Sequence, residues 1–233
     1  MNKELKSQIE RAQELHQELK AECESRMHES SVHPRILNLA VEVLSKLRSI
    51  FDHTAYVVFD TKIKPNLDAA EAEKVKVYFP IADDEQSFRS QLGRAKFLDL
   101  EIDSPKIFAT LRGVQPFTSS DNQWLATLRD LSNVGKHVRL IRQDRRVTKR
   151  TTVTGPGGAV SWGEGVVFGS GVSVMGAPID PRTQNIVPTP GVQSRTERII
   201  SFEFPDAGVN ALGFLSEAIA RVQYTVTQIL ENL

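Results

Sequence analysis

Apolar residues recur every three or four positions near the start of the chain. Leu5, Ile9, Ala12, Leu15 and Leu19 form a thin stripe within a segment rich in Glu, Lys and Gln, which holds no Gly or Pro from residue 2 to 28. This spacing predicts one amphipathic helix over residues 2–28. The run Glu29-Ser30-Ser31-Val32-His33-Pro34 ends it, and Pro34 suits the first turn of a second helix. That helix is strongly apolar from Ile36 to Phe59, with Leu39, Ala40, Val43, Leu44, Leu47, Ile50 and Phe51 covering more than one face. A helix of this kind belongs in the core.

The pattern then becomes less regular. Thr61 to Glu73 is polar and predicts a loop, whereas Val75, Val77 and Phe79 alternate with Lys76 and Tyr78 and predict a short strand ending at Pro80. Asp83-Asp84-Glu85 opens a helix reaching Leu98, and Ser104-Pro105 opens a short one ending near Gly113. Thr118 to Asp121 offer N-caps for a helix from Asn122 to Lys136. From Val138 to Phe204, clustered glycines separate short β-branched runs and predict hairpins. Pro178, Pro181, Pro188 and Pro190 fall in a loop there, and Arg198 to Phe204 form a last strand. Finally, Leu212, Leu215, Ile219, Val222, Val226, Ile229 and Leu233 form a seam on a helix over Val209–Leu233. Packing of that seam on the N-terminal helices is favoured over packing on a second subunit. The expected fold is mainly α (α+β), a single domain over 1–233. Its helical bundle is built from 1–137 and 207–233, with a β-hairpin insertion at 138–204 before the C-terminal helix.

Composition narrows the function classes. The formal net charge is zero over 233 residues, so attraction to nucleic acid or membrane must come from a local patch. The lone Cys23 excludes an internal disulfide and a multi-Cys zinc site. The N-terminal residues are charged throughout and no run of eighteen apolar residues occurs, so a cytoplasmic protein without membrane contact is expected. Neither G-x-S-x-G, C-x-x-C nor H-E-x-x-H is present, and GPGG at 155–158 lacks the Gly-Lys-Ser/Thr of a phosphate loop. No cofactor, metal or small-molecule ligand is therefore indicated.

Two polar, His-ended motifs interrupt the apolar helices. In LRSIFDH (Leu47–His53), Arg48 and Asp52 lie one turn apart and can form an ion pair, and Ser49 and His53 are spaced likewise. In LRDLSNVGKH (Leu128–His137), Asn133 and His137 share a face with Lys136 beside them, and Gly135 marks a helix end or a close approach. Buried polar groups need partners. The two motifs are expected to supply them to each other, either as a reactive site or as a network that fixes helix packing.

The pair of motifs resembles a widespread group of bacterial proteins with no assigned activity. The group carries an LRS-x-LDH helix, a Q-P loop and an L-x-x-L-x-N-x-x-KH helix. Gln115-Pro116-Phe117 matches the middle element, the likeness extends into the β segment and last helix, and Gly135 departs from it, since the group often has Asp there. The spacing from Arg48 to His53 also resembles the R-x4-6-H motif of HEPN ribonucleases, which are helical, usually dimeric domains of toxin–antitoxin and phage-defence systems. That resemblance implies metal-independent RNA cleavage through the 2′-hydroxyl, with His53 as acid/base and Arg48 on the phosphate. The R-x4-6-H pattern recurs at Arg11-x4-His16 and Arg26-x6-His33, on a charged helix.

A basic run follows the second motif: Lys136, Arg139, Arg142, Arg145, Arg146, Lys149 and Arg150, opposed only by Asp144. It could track RNA phosphates, or line a solvated strand edge where cations discourage pairing. Two functional expectations follow. One is a HEPN-like RNA endonuclease or RNA-binding toxin or defence protein, with RNA and a second copy as partners. In it Arg48, His53, Asn133 and His137 are catalytic and Ser49, Asp52 and Lys136 support them. The other is a non-catalytic structural or protein-interaction domain, in which the motifs are a packing network.

Overall fold

The computed structural model describes the chain apart from residues 1–2, 27–28, 30, 137–143 and 164, with backbone alone at 134–136, 144–148 and 197–201. The chain is mainly helical, with a small antiparallel sheet before the C-terminal helix. By packing it divides into two compact units, residues 1–144 with 203–233, and residues 145–202.

The first unit is a helical bundle centred on α2 (Pro34–Val58). Against it pack α1 (Lys3–Ser25), α7 (Gln123–Lys136) and α8 (Ala211–Leu230). Each helix starts or faces as its sequence dictates. The Leu5/Ile9/Ala12/Leu15/Leu19 stripe of α1 is buried, continued by Cys23. Pro34 occupies the first turn of α2, and the His33 ring accepts the Arg35 amide as its cap. Asn210 caps α8 by accepting the Gly213 amide at 2.8 Å. The α8 seam is buried at Leu215, Ile219, Val222, Val226 and Ile229, against α1, α2, α6 (Pro105–Gly113) and α7 of its own chain.

Two expectations in the middle of the chain are corrected. The segment expected to be a loop over Thr61–Glu73 is largely helical. It comprises a π turn at Phe59–Ile63, a 3-10 turn at Lys64–Asn66, and α3 (Ala69–Lys74). Asp68 accepts the Glu71 amide at 2.7 Å, and an Ala/Glu-rich sequence follows, which propagates a helix easily once capped. The expected strand over Val75–Phe79 is extended but belongs to no sheet. Its polar backbone groups bond to side chains instead, as described below. Further on, Asp84 caps α4 (Glu85–Arg94), which stops before Leu98, and α5 (Leu100–Asp103) precedes α6.

In the second unit β1 (Asp144–Gly155) and β2 (Gly158–Gly163) form a hairpin, with Gly155 opposite Gly158 across the Pro156-Gly157 tip. Gly158 has φ +128°, a region that favours glycine. Trp162 meets Phe168 edge-on at 5.0 Å. A second small hairpin pairs β3 (Ser173–Val174) with β4 (Ala177–Pro178). The last long strand, β5 (Gln193–Phe204), begins five residues earlier than the Arg198 the sequence suggests and ends in the first unit, where it pairs with β6 (Val209–Asn210). The strand order is β2-β1-β5-β6.

Candidate functional site

The first polar motif lies on α2, where the helix meets the extended segment before α4. Arg48 and Asp52 form the expected ion pair at 3.0 Å, and both turn onto one backbone residue. Asp52 Oδ1 accepts the Phe79 amide at 3.0 Å, and Arg48 Nη2 donates to the Phe79 carbonyl at 3.2 Å. The Phe79 ring stacks on Phe51, with centroids 4.2 Å apart, so one residue is held by its ring and by both backbone groups.

The same device continues along the segment. The Gln91 amide bonds both the N–H and the C=O of Ile81, each at 3.0 Å. The Gln115 amide accepts from Ala82 N–H at 2.9 Å and donates to Pro80 C=O at 2.9 Å, with a further bond to Leu111 C=O. In extended chain, backbone groups of successive residues point to opposite edges. Arg48/Asp52 and Gln91 therefore serve the Phe79/Ile81 edge, and Gln115 serves the Pro80/Ala82 edge. Side chains do what neighbouring strands do in a sheet, and no backbone donor from Phe79 to Ala82 is left unpaired. Asp83, the next residue, is met by Arg129 of α7 at 2.9 Å.

Two of the sequence elements that carry the resemblance, the LRSIFDH helix and the Gln115-Pro116 loop, thus converge on this segment. The second His-ended motif reaches it through Arg129, which sequence reasoning left aside. It does not reach it through Asn133. That side chain is exposed, and among the described residues none of its bonds joins Arg48, Asp52 or His53. The expected meeting of the two motifs as a shared site is corrected for Asn133: it is Arg129, one turn before it on α7, that bonds the segment, at Asp83. Ser132 bonds back to the Arg129 carbonyl of its own helix. His137, Arg139 and Arg142 lie outside the described residues, and the side chains of Lys136, Arg145 and Arg146 do too. Lys149 and Arg150 are exposed on β1, in the second unit.

His53 faces α1. The Gln8 side-chain nitrogen lies 3.0 Å from His53 Nδ1; with that amide donating, Nδ1 accepts and the ring proton sits on Nε2, 3.9 Å from the Glu4 carboxylate. Ser49 is exposed, and among the described residues its side chain joins no such contact. The motif is only partly covered: Arg48, Asp52 and His53 retain 15, 25 and 21 % of their side-chain exposure. The other two Arg/His spacings have separate duties. His33 caps α2, and His16, expected on a solvated helix, is buried and bonds the Leu212 carbonyl at 3.0 Å.

Beside the clamp lies a cleft of about 570 Å³. Arg48 forms part of its wall, together with Lys74, Lys76, Arg94, Tyr78 and Gln91, none of which the sequence singled out as a site. Among the described residues no group of His, Cys, Asp and Glu side chains is placed to hold a metal ion. No helix among them is long and apolar enough to cross a membrane. No family model, curated protein or solved structure matches the chain.

Proposed function

We propose that this chain is a binding or interaction protein, in which the LRSIFDH motif shapes the scaffold and does not react. The observation behind this reading is that Arg48 and Asp52 close together on the backbone of Phe79. An arginine that must clamp a transferring phosphate needs a free planar fork. Here Nη2 of that fork is already bonded to Asp52 and to a carbonyl. The experiment is a paired measurement on His53→Ala and Arg48→Ala: thermal stability, and integrity of a single-stranded RNA incubated with the protein and a chelator. Lower melting temperatures with RNA left intact by wild type and variants support the reading. RNA cleavage by wild type, lost in a His53→Ala variant that melts normally, overturns it.

A HEPN-like RNA enzyme is the second reading. One observation favours it: His53 is part-exposed, with Nε2 3.9 Å from the Glu4 carboxylate. The RNA-integrity arm of the same experiment decides between the two.

A further inference from the structure

We infer that the cleft beside α2 binds a nucleotide unit, with its phosphate on Lys74, Lys76 and Arg94 and its base against Tyr78. The inference is independent of whether His53 reacts.

The cleft has a consistent sign of charge. Four of its eight lining residues are cationic and none is acidic. Arg48 is balanced by Asp52, but Lys74, Lys76 and Arg94 form no ion pair with any described residue. Arg94 differs in this from other exposed arginines of the unit, such as Arg89, paired with Glu85 and Glu101, and Arg112, paired with Glu85. Three cations with no ion-pair partner among the described residues, around one concavity of a chain with zero net charge, produce a local field that attracts an anion.

The cations converge from separate elements. Lys74 ends α3, Arg94 ends α4, and Lys76 and Tyr78 stand on the solvent side of the alternating extended segment. Tyr78 is 61 % exposed, with no aromatic partner among the described residues. Its ring is thus available for stacking, and base–aromatic stacking tolerates any base. The cleft volume falls in the range of small-ligand sites and holds one nucleotide comfortably. The rim is also fixed in advance. Phe79, which follows Tyr78, is pinned by Arg48, Asp52 and the Phe51 ring, so little ordering remains to be done on binding.

A phosphate next to a base can come from a free nucleotide or from a single strand of RNA. The test measures binding of inorganic phosphate, AMP, UMP and a labelled single-stranded RNA of roughly ten nucleotides to the whole chain, in about 50 mM salt. Binding of the nucleotides or the RNA is expected, tighter than inorganic phosphate. It should weaken about tenfold or more in the Lys74→Ala/Lys76→Ala/Arg94→Ala variant and in Tyr78→Ala. For RNA, the triple variant should flatten the dependence of log K on log salt by about 2, from three lost cations. Competition by AMP or UMP for the RNA points to a free nucleotide as the source; RNA bound without such competition points to the strand. The single variant Lys76→Glu gives the same reading should the triple variant fail to fold. Wild type that binds none of these probes overturns the inference, as do variants that bind like wild type. Inorganic phosphate bound as tightly as a nucleotide does so as well.

Discussion

Asp52 accepts the backbone amide of Phe79 at 3.0 Å, across 27 residues of sequence. That bond gives the polar residues of a core helix a structural purpose. It fastens an extended segment that has no strand beside it, and Arg48 completes the fastening at the carbonyl.

Asp52→Ala therefore removes the acceptor for Phe79 and the counter-ion of Arg48 together. The expected loss is about 2 kcal/mol, since bonds to charged groups contribute more than neutral ones. A thermal melt should shift down by about 4 to 8 °C. Asp52→Asn keeps an acceptor and should lose less. A melt unchanged in Asp52→Ala would show that the clamp is dispensable.

Gln115 is fully buried and makes three bonds to backbone groups, so its replacement should be more damaging than its neutral side chain suggests. Gln115→Leu preserves bulk but strands Ala82 N–H and the Pro80 and Leu111 carbonyls, and should cost about 3 kcal/mol. Gln115→Glu should not rescue it: the acceptor for Ala82 remains, but both donated bonds go and a charge is buried. Denaturant unfolding of the two variants checks this.

For His53→Ala the expected change is a melting temperature lower by a few degrees, through loss of the bond to Gln8 on α1. RNA integrity should be the same with variant and wild type. Gel analysis of incubated RNA beside the melt separates the two effects.

Burial pushes the Cys23 thiol up to about 12, from an ordinary value of 9.0. At about pH 8 the folded protein should therefore resist maleimide, and unfolding should expose the thiol to rapid labelling. The sign of the pH dependence follows from the same shift. Between about 9 and 12 the unfolded thiol has lost its proton while the folded one keeps it. The contribution to stability is complete below about 9 and is lost as the pH rises toward about 12. Wild type should lose stability relative to Cys23→Ala across that window.

Much of the helical framework was legible in the sequence. The α1 stripe, the apolar α2, Pro34 at its first turn and the α8 seam follow from a period of about 3.6 and from the chemistry of helix ends. Hairpin formation around the Gly-Pro-Gly-Gly tip follows from turn chemistry in the same way. Those signals are local, and local signals survive in a one-dimensional string.

Tertiary structure decided what the polar residues do. Alternation at Val75, Val77 and Phe79 predicts a strand, but a sequence does not say whether the backbone hydrogen bonds go to a neighbouring strand or to side chains. Here they go to Asp52, Arg48, Gln91 and Gln115, from two helices and a loop. Asn133 is expected to join the first motif, yet it is exposed, and Arg129, one turn earlier on α7, bonds Asp83 instead. The cationic cleft was equally hidden, because Lys74, Lys76 and Arg94 are scattered through neutral stretches and meet only when the segments fold around Arg48. Periodicity and capping fix which stretches are helical; only packing fixes which side chains share a space.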